Sequence, residues 1–358
     1  MPTKFPCFSS IRDLSKPDSE LLAAIQRKME RLALPRGCLG DLHEVSRQLC
    51  LIQGRIDPVL EFGTALVFAG DHGIVQNGVS AFPKRVTYEN FKNMLEGRSV
   101  ISAFAGVVGL DQWYVDVGID APRIIEREQH GSRFIDARVG NGTSDCSIGP
   151  AMSGTLAREG IMVGYKCARE ACEKSDAIVI GEMGIGNSSI ASLVCAALLG
   201  LEAAEVAGRG SGLDDAGLAR KTSVLRRALH RREWRSLSPI EILSELGGHE
   251  YNAMVGAILG AAASGKVVLL DGFIATSAAL AATSITPQCR EYLVACSQST
   301  EKAYEAVAGH LRLRPLLKLG MRLGEGSAAA LAWPIVRSAA AYLRSVYSLD
   351  ELGWLNEK

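Results

Sequence analysis

Short apolar runs, each stopped by glycine or aspartate, constrain this 358-residue chain more than any other feature. They are Ala65–Ala69 (ALVFA, then GDHG), Trp113–Val117 (WYVDV, then Gly118), Ala177–Ile180 (AIVI, then GEMGIG) and Val267–Leu270 (VVLL, then DG), with Tyr292–Ala295 as a weaker fifth. Runs of this length with little alternation point to strands covered on both faces, and hence to a parallel sheet. Ala-rich segments with helical spacing separate them, at about 91–108, 188–200, 213–230, 250–264 and 275–283. The alternation predicts an α/β fold built on a doubly wound, mostly parallel sheet.

The two ends differ from this middle. Residues 19–52 carry apolar and charged positions at helical spacing, and Pro35-Arg36-Gly37 splits them into two helices. After residue 298 the strands stop and the pattern is helical at about 299–310 and 327–345. These segments predict an α/β domain over 60–298 and a small helical lobe drawn from 1–59 and 299–358, because neither end can bury its apolar face alone.

Lys+Arg and Asp+Glu both number 39, so no global field recruits nucleic acid or an anionic membrane, and an anionic ligand must be captured locally. The nine cysteines (Cys7, Cys38, Cys50, Cys146, Cys167, Cys172, Cys195, Cys289 and Cys296) form no CxxC pair, and no histidine stands at zinc-ligand spacing from them. Reduced, mostly buried thiols in a cytoplasmic protein are expected. The start, MPTKFPCFSSIRDLSK, has no long apolar stretch of a signal peptide, and no run suggests a membrane span.

In an open parallel sheet, ligands bind beyond the carboxyl ends of the strands, and most of the glycine-rich polar segments follow a predicted strand. From Gly70-Asp71-His72-Gly73, followed by Gly78-Val79-Ser80-Ala81-Phe82-Pro83, Asp71 and His72 would point into a cleft, although His72 also fits a structural hydrogen-bonding role. Gly181-Glu182-Met183-Gly184-Ile185-Gly186-Asn187-Ser188-Ser189 runs from strand to helix, where bare backbone N–H groups attract an anion and Asn187 or Ser188 caps the helix. It is a poor dinucleotide fingerprint, since Ser189 replaces the last glycine, and it is no P-loop. An ordinary tight turn is the competing reading, and Glu182 beside three glycines favours function.

Gly208-Arg209-Gly210-Ser211-Gly212, with Lys221 about two turns into the next helix, reads as a phosphate cradle with a cation behind it, or as a capped surface helix. Leu246-Gly247-Gly248-His249-Glu250 precedes another small-residue helix. Asp271 ends its strand at a place suited to a ribose hydroxyl; the lack of a second acid argues against a metal-bound pyrophosphate leaving group. Glu325 sits in Leu319-Gly320-Met321-Arg322-Leu323-Gly324-Glu325-Gly326-Ser327-Ala328, between glycines that allow close approach of a substrate. It suits a general base, or a structural acid at a helix start. No metal site is expected.

Taken in order, FAGDHGIVQNGVSAFP, GEMGIGNSSIAS, GRGSGLDDAGLARK, ELGGHEYNAMVGAILGAA, DGFIATSAALAA and RPLLKLGMRLGEGSAAALA resemble the nicotinate-nucleotide:5,6-dimethylbenzimidazole phosphoribosyltransferase family over about residues 20–345. The resemblance implies transfer of the 5-phosphoribosyl group of nicotinate mononucleotide to 5,6-dimethylbenzimidazole, in assembly of the cobalamin nucleotide loop, without a cofactor. It implies Glu325 as the base and Glu182 in the same site. The segments GEMGIGN (Gly184, Gly186, Asn187) and GRGSG (Gly210, Ser211, Gly212), with Lys221 and Asp271, fall on the donor side. Ser80 and Leu323 fall on the acceptor pocket. It also implies a parallel α/β sheet with a small helical lobe, assembled as a homodimer.

The chain departs from the family pattern at Lys84-Arg85, Ser238-Pro239, Glu301-Lys302-Ala303-Tyr304 and Lys318. Lys84, Arg85 and Tyr304 motivate a rival acceptor, such as adenine, another benzimidazole or a phenol. Replacement of Glu-Pro-Gly-His at 301–304 motivates a non-catalytic nucleotide-binding paralogue. A dehydrogenase is disfavoured by the incomplete fingerprint.

Overall fold

A computed structural model describes residues 10–124 and 131–354; Cys7 and the first nine residues of the N-terminal segment lie outside them. Six parallel strands form one sheet: β1 (Gly63–Gly70), β2 (Asp111–Gly118), β3 (Arg133–Asp136), β4 (Ala177–Met183), β5 (Val267–Leu270) and β6 (Leu293–Ala295), in the order β3-β2-β1-β4-β5-β6. The chain lays down one half outward from β1, then returns to start the other half at β4. Every residue of β1 and β4 is buried, which explains their unbroken apolar runs. Their carboxyl ends, at Gly70 and Met183, flank the place where the winding reverses, and there a crevice opens.

The helices are α1 (Ser19–Glu30), α2 (Asp41–Gln53), α3 (Val86–Leu95), α4 (Val100–Val108), α5 (Gly154–Ala171), α6 (Asn187–Leu199), α7 (Ala203–Val206), α8 (Asp215–Leu229), α9 (Pro239–Leu246), α10 (His249–Ala263), α11 (Phe273–Ile285), α12 (Tyr304–His310) and α13 (Ser327–Ser345). One set, α10 with α5 and α11, crosses β4, β1, β2 and β5. Another, α13 with α4 and α2, packs on β4, β5 and β2. Ile25, Leu32, Cys50, Leu51 and Leu343 make a second small core that joins α1 and α2 to the end of α13.

The helix expected over 91–108 is two helices. Gly97, at φ +70, ends one, and the Ser99 side chain caps the next by accepting from the Ser102 N–H. The strand β3 and the helices α5, α7 and α9 escape the sequence pattern. β3 is a four-residue edge strand whose side chains are exposed or half-buried, so it carries no apolar run. α5 is interrupted by Gly160 and Gly164, and these glycines are the reason it packs. A Cβ on Gly164 would lie 1.7 Å from the Ala253 carbonyl oxygen, and one on Gly256 of α10 would lie 1.8 Å from that of Ile161. Backbone thus meets backbone across the pair.

Among the described residues, no helix is long and apolar enough to cross a membrane. Cys38 is exposed and the other described cysteines are buried. Gly164→Val is expected to cost about 3 kcal/mol or more, because neither backbone can retreat. Urea unfolding measures this, and a loss below about 0.5 kcal/mol, the level of a neutral surface change, would show that the helix pair is not close-packed.

Candidate active site

The crevice beyond β1, β4 and β5 is a cleft of about 240 Å³. It gathers segments far apart in the chain: Ser80 and Phe82, then Glu182 to Ser188, Gly210 and Ser211, Asp271 to Ala275, and Met321 to Glu325. Glu182, one residue before the end of β4, is 6% exposed and accepts from the Asn187 amide. The turn between them is pressed against its neighbours. A Cβ on Gly184 would stand 2.5 Å from the Gly70 carbonyl oxygen, and Gly186 has φ +98. The Ile185 N–H donates to Thr87 Oγ1 at 3.0 Å, tying the turn to α3.

Glu325 occupies the left-handed region, at φ +65, between Gly324 at +89 and Gly326 at +91. A non-glycine residue there costs of order 1 kcal/mol or more, and such strain concentrates at functional sites. Three contacts hold it. Asn90 Nδ2 donates to Glu325 Oε1 at 2.9 Å, and the Ile101 N–H to Oε2 at 3.4 Å. The bare Gly181 lets β4 lie against the Glu325 carbonyl, which a Cβ would approach to 2.3 Å. A fourth contact is indirect: Asp271 accepts from the N–H groups of Ala328 (2.7 Å), Ala329 (3.0 Å) and Gly326 (3.3 Å), capping the start of α13. The carboxylate assigned from sequence to a ribose hydroxyl therefore spends most of its acceptor capacity on the turn that carries Glu325.

Burial raises the pKa of Asp271 to about 7 against those three hydrogen bonds, and Glu325 adds to the rise. Burial also pushes Glu182 well above the carboxylate range, helped by the charges of Asp271, Glu250 and Glu325. One end of the cleft thus gathers two carboxyl groups that hold their protons more tightly than usual, and a cation placed there would favour their ionised forms. Its walls are apolar elsewhere, with Phe82, Val86, Met183, Met321 and Leu323 facing the opening.

At the other end, Gly210 and Ser211 line the cleft and Lys221 stands behind them, with its Nζ donating to Ser188 Oγ at 3.1 Å. Lys221 is fully buried; burial lowers its pKa, and Glu301 opposes that. Gly212, at φ +117, shapes the loop but does not line the cleft. Sequence reasoning missed Asn90, Ser297, Ser299 and Glu301, which also line it. Asn90 has no motif around it and lies just before the helical segment expected from about residue 91; α3 in fact starts at Val86. Lys84, Arg85 and Tyr304, which suggested a different acceptor, stand off the cleft. Lys84 pairs with Asp120, Arg85 with Glu89 at 3.4 Å, and Tyr304 is fully buried. Among the described residues, no group of three or more His, Cys, Asp or Glu side chains is placed to hold a metal ion.

A family model described as Phosphoribosyltransferase matches residues 14–353. The chain is 40% identical over 348 residues to the nicotinate-nucleotide–dimethylbenzimidazole phosphoribosyltransferase of Chloroflexus aurantiacus, covering 96% of this chain and 97% of that one. It is 41% identical over 346 residues to the enzyme of the same name from Dechloromonas aromatica, covering 95% and 97%. The crystal structure of CobT from Thermus thermophilus superposes with a TM-score of 0.89 at 37% identity, over 93% of this chain and 98% of that one.

Asp71 and His72, expected in the cleft, lie beneath it at 2% and 1% exposure. His72 Nε2 stands 2.8 Å from Glu250 Oε1, both side chains wholly buried and poorly aligned for a linear hydrogen bond, so the contact is chiefly between charges. Burial lowers the His72 pKa, but Glu250 and then Asp71 outweigh it and the net shift is upward from 6.5. A histidine raised in the folded state contributes stability in full below 6.5 and loses it as pH rises through the folded value. The pair sits directly under the Gly184 turn, with Gly70 and Gly248 bare to admit it. Glu250→Gln is therefore expected to cost about 3 kcal/mol near pH 6, and progressively less toward pH 9. Urea unfolding across that range checks the sign, and a deficit that grows with pH would contradict the pairing.

Proposed function

The chain belongs to the nicotinate-nucleotide–dimethylbenzimidazole phosphoribosyltransferase family, and we propose that it transfers the 5-phosphoribosyl group of nicotinate mononucleotide to 5,6-dimethylbenzimidazole in cobalamin synthesis. The products are α-ribazole 5′-phosphate, nicotinate and a proton. The observation that carries this reading is the division of the cleft. Buried carboxylates with raised proton affinity lie at one end, a glycine loop backed by a buried lysine at the other, and apolar walls at the opening.

Each part has a task in that transfer. The donor's glycosidic nitrogen is a pyridinium, so the donor brings a positive charge to the end where Glu182 and Asp271 are short of one. As the C1′–N bond breaks, its electron pair returns to the nicotinate ring and C1′ becomes oxocarbenium-like. The carboxylate of Glu182 stabilises that charge in a water-poor site. Gly210, Ser211 and Lys221 hold the 5′-phosphate, and the start of α6, with Gly184, Gly186, Asn187 and Ser188, supports the ribose phosphate from the β4 side. The apolar walls take the methylated benzimidazole, with Ser80 and Leu323 at its edge. A lone pair of one ring nitrogen attacks C1′ from the face opposite nicotinate, which gives the α anomer. The proton on the other nitrogen passes to Glu325. Asn90 aims that carboxylate, and holding both rings on opposite faces of the ribose supplies much of the remaining acceleration.

Glu325→Gln keeps the Asn90 contact and removes the base, so kcat is expected to fall roughly 10²–10⁴-fold, the range typical of a lost general base. Release of nicotinate from nicotinate mononucleotide and dimethylbenzimidazole measures it, and an unchanged rate removes Glu325 from proton transfer. We further propose a homodimer, as the family resemblance implies, in the cytoplasm, as the mostly buried, unpaired thiols suggest. Light scattering is expected to give about twice the 38.2 kDa chain mass, and a single-chain mass would refute it.

A further inference from the structure

The end of the cleft assigned to phosphate already holds an anion of the chain's own. Glu301, just past β6, lines the cleft, and its Oε1 accepts the Gly210 N–H at 2.9 Å. Its Oε2 is buried without a hydrogen-bond partner and is packed so tightly on the loop that a Cβ on Gly208 would meet it at 1.9 Å. Its charge also opposes the loss of the Lys221 proton that burial favours. The backbone donor of the loop is therefore given to one carboxylate, whose charge also reaches the lysine, although the Lys221 Nζ itself bonds Ser188 Oγ. A phosphate cannot share that place with it, because like charges at such range in a half-buried site repel strongly.

We propose that Glu301 is an internal stand-in for the donor's phosphate. In the empty enzyme it holds the Gly208–Gly212 loop and Lys221 in the arrangement the donor needs, and it releases the Gly210 N–H when the phosphate arrives. This rests on the phosphoribosyl assignment above. The carboxylate preorganises the cradle and at the same time weakens it toward every anion, so only a ligand with additional contacts, such as the ribose and pyridinium of the donor, displaces it readily. The effect falls on donor binding rather than on the chemical step. A carboxylate that bound a ribose hydroxyl would act in the opposite direction, since neutralising it would weaken the donor.

Glu301→Gln separates these roles, because its amide oxygen still accepts the Gly210 N–H while the charge is gone. The KM for nicotinate mononucleotide is expected to fall roughly tenfold, with a parallel fall in the inhibition constant of inorganic phosphate and little change in kcat. Glu301→Asp, which keeps the charge, should show neither fall. A Glu301→Gln enzyme with a KM equal to or above that of the unaltered enzyme overturns the proposal. Lys221→Ala is the separate arm. If it leaves the donor KM unchanged, the phosphate assignment itself is wrong; if it raises KM while Glu301→Gln fails to lower it, only the stand-in role is lost. A crystal of the unaltered enzyme soaked in inorganic phosphate gives a second measurement that does not depend on a variant folding. The Glu301 carboxylate is expected to leave the Gly210 N–H, and phosphate bound there with Glu301 still in place would overturn the proposal.

Discussion

The capping of α13 by Asp271 is the contact on which the rest of the site depends. One carboxylate at the end of β5 accepts three N–H groups from the segment that follows Glu325. It thereby fixes the start of a 19-residue helix whose body packs on the sheet. The preceding residues must then turn through three consecutive left-handed positions to pass β4. Gly324 and Gly326 adopt such angles without penalty, while Glu325 does so under strain. The bare Gly181 leaves room for the turn to close on the strand. Position, orientation and strain of the proposed base all follow from that arrangement, which helps explain why glycines flank it on both sides.

The same compactness sets the electrostatics. Asp271, Glu182 and Glu325 are all at most 6% exposed, and the charges of Asp271 and Glu325 add to what burial does to Glu182, as that of Glu325 does for Asp271. Burial on this scale favours the protonated forms of Glu182 and Asp271. In the proposed reaction, a donor that carries a pyridinium, and then an oxocarbenium-like carbon, would draw them back to the carboxylate form. The His72–Glu250 pair beneath the Gly184 turn balances charge against charge by comparison, and it supports the turn without reaching the cleft. Its role is to hold position, whereas the charge that meets the substrate lies one layer above.

Much of this was legible in the sequence because buried parallel strands leave continuous apolar runs and because the turns after them need glycine. Ala65–Ala69 and Ala177–Ile180 marked the two central strands, and GEMGIG and GEG marked the turns. What stayed hidden is what periodicity cannot encode. β3 is short and half exposed, and α5 is broken by the glycines that let it touch α10. Asn90 sits on a segment with no motif, Glu301 on one noticed only as a departure from Glu-Pro-Gly-His, and the value of both comes from what a distant turn brings beside them. Asp271 was visible as a residue at a strand end, but a carboxylate's partner is a matter of geometry, and its helix-capping contacts could not be read from a single acid. Lys84 and Tyr304 attracted notice as departures from a pattern, yet an exposed ion pair and a buried ring leave the cleft unchanged.

The proposed transfer requires convergence: a phosphate end, a carboxylate end and an apolar slot arranged so that the new bond forms between them. A crystal structure with α-ribazole 5′-phosphate tests this most directly. It is expected to show the phosphate against Gly210 and Ser211 in front of Lys221, and the benzimidazole edge within hydrogen-bond distance of the Glu325 carboxylate. A ligand bound in the reverse direction, or one whose ring lies out of reach of Glu325, would contradict it.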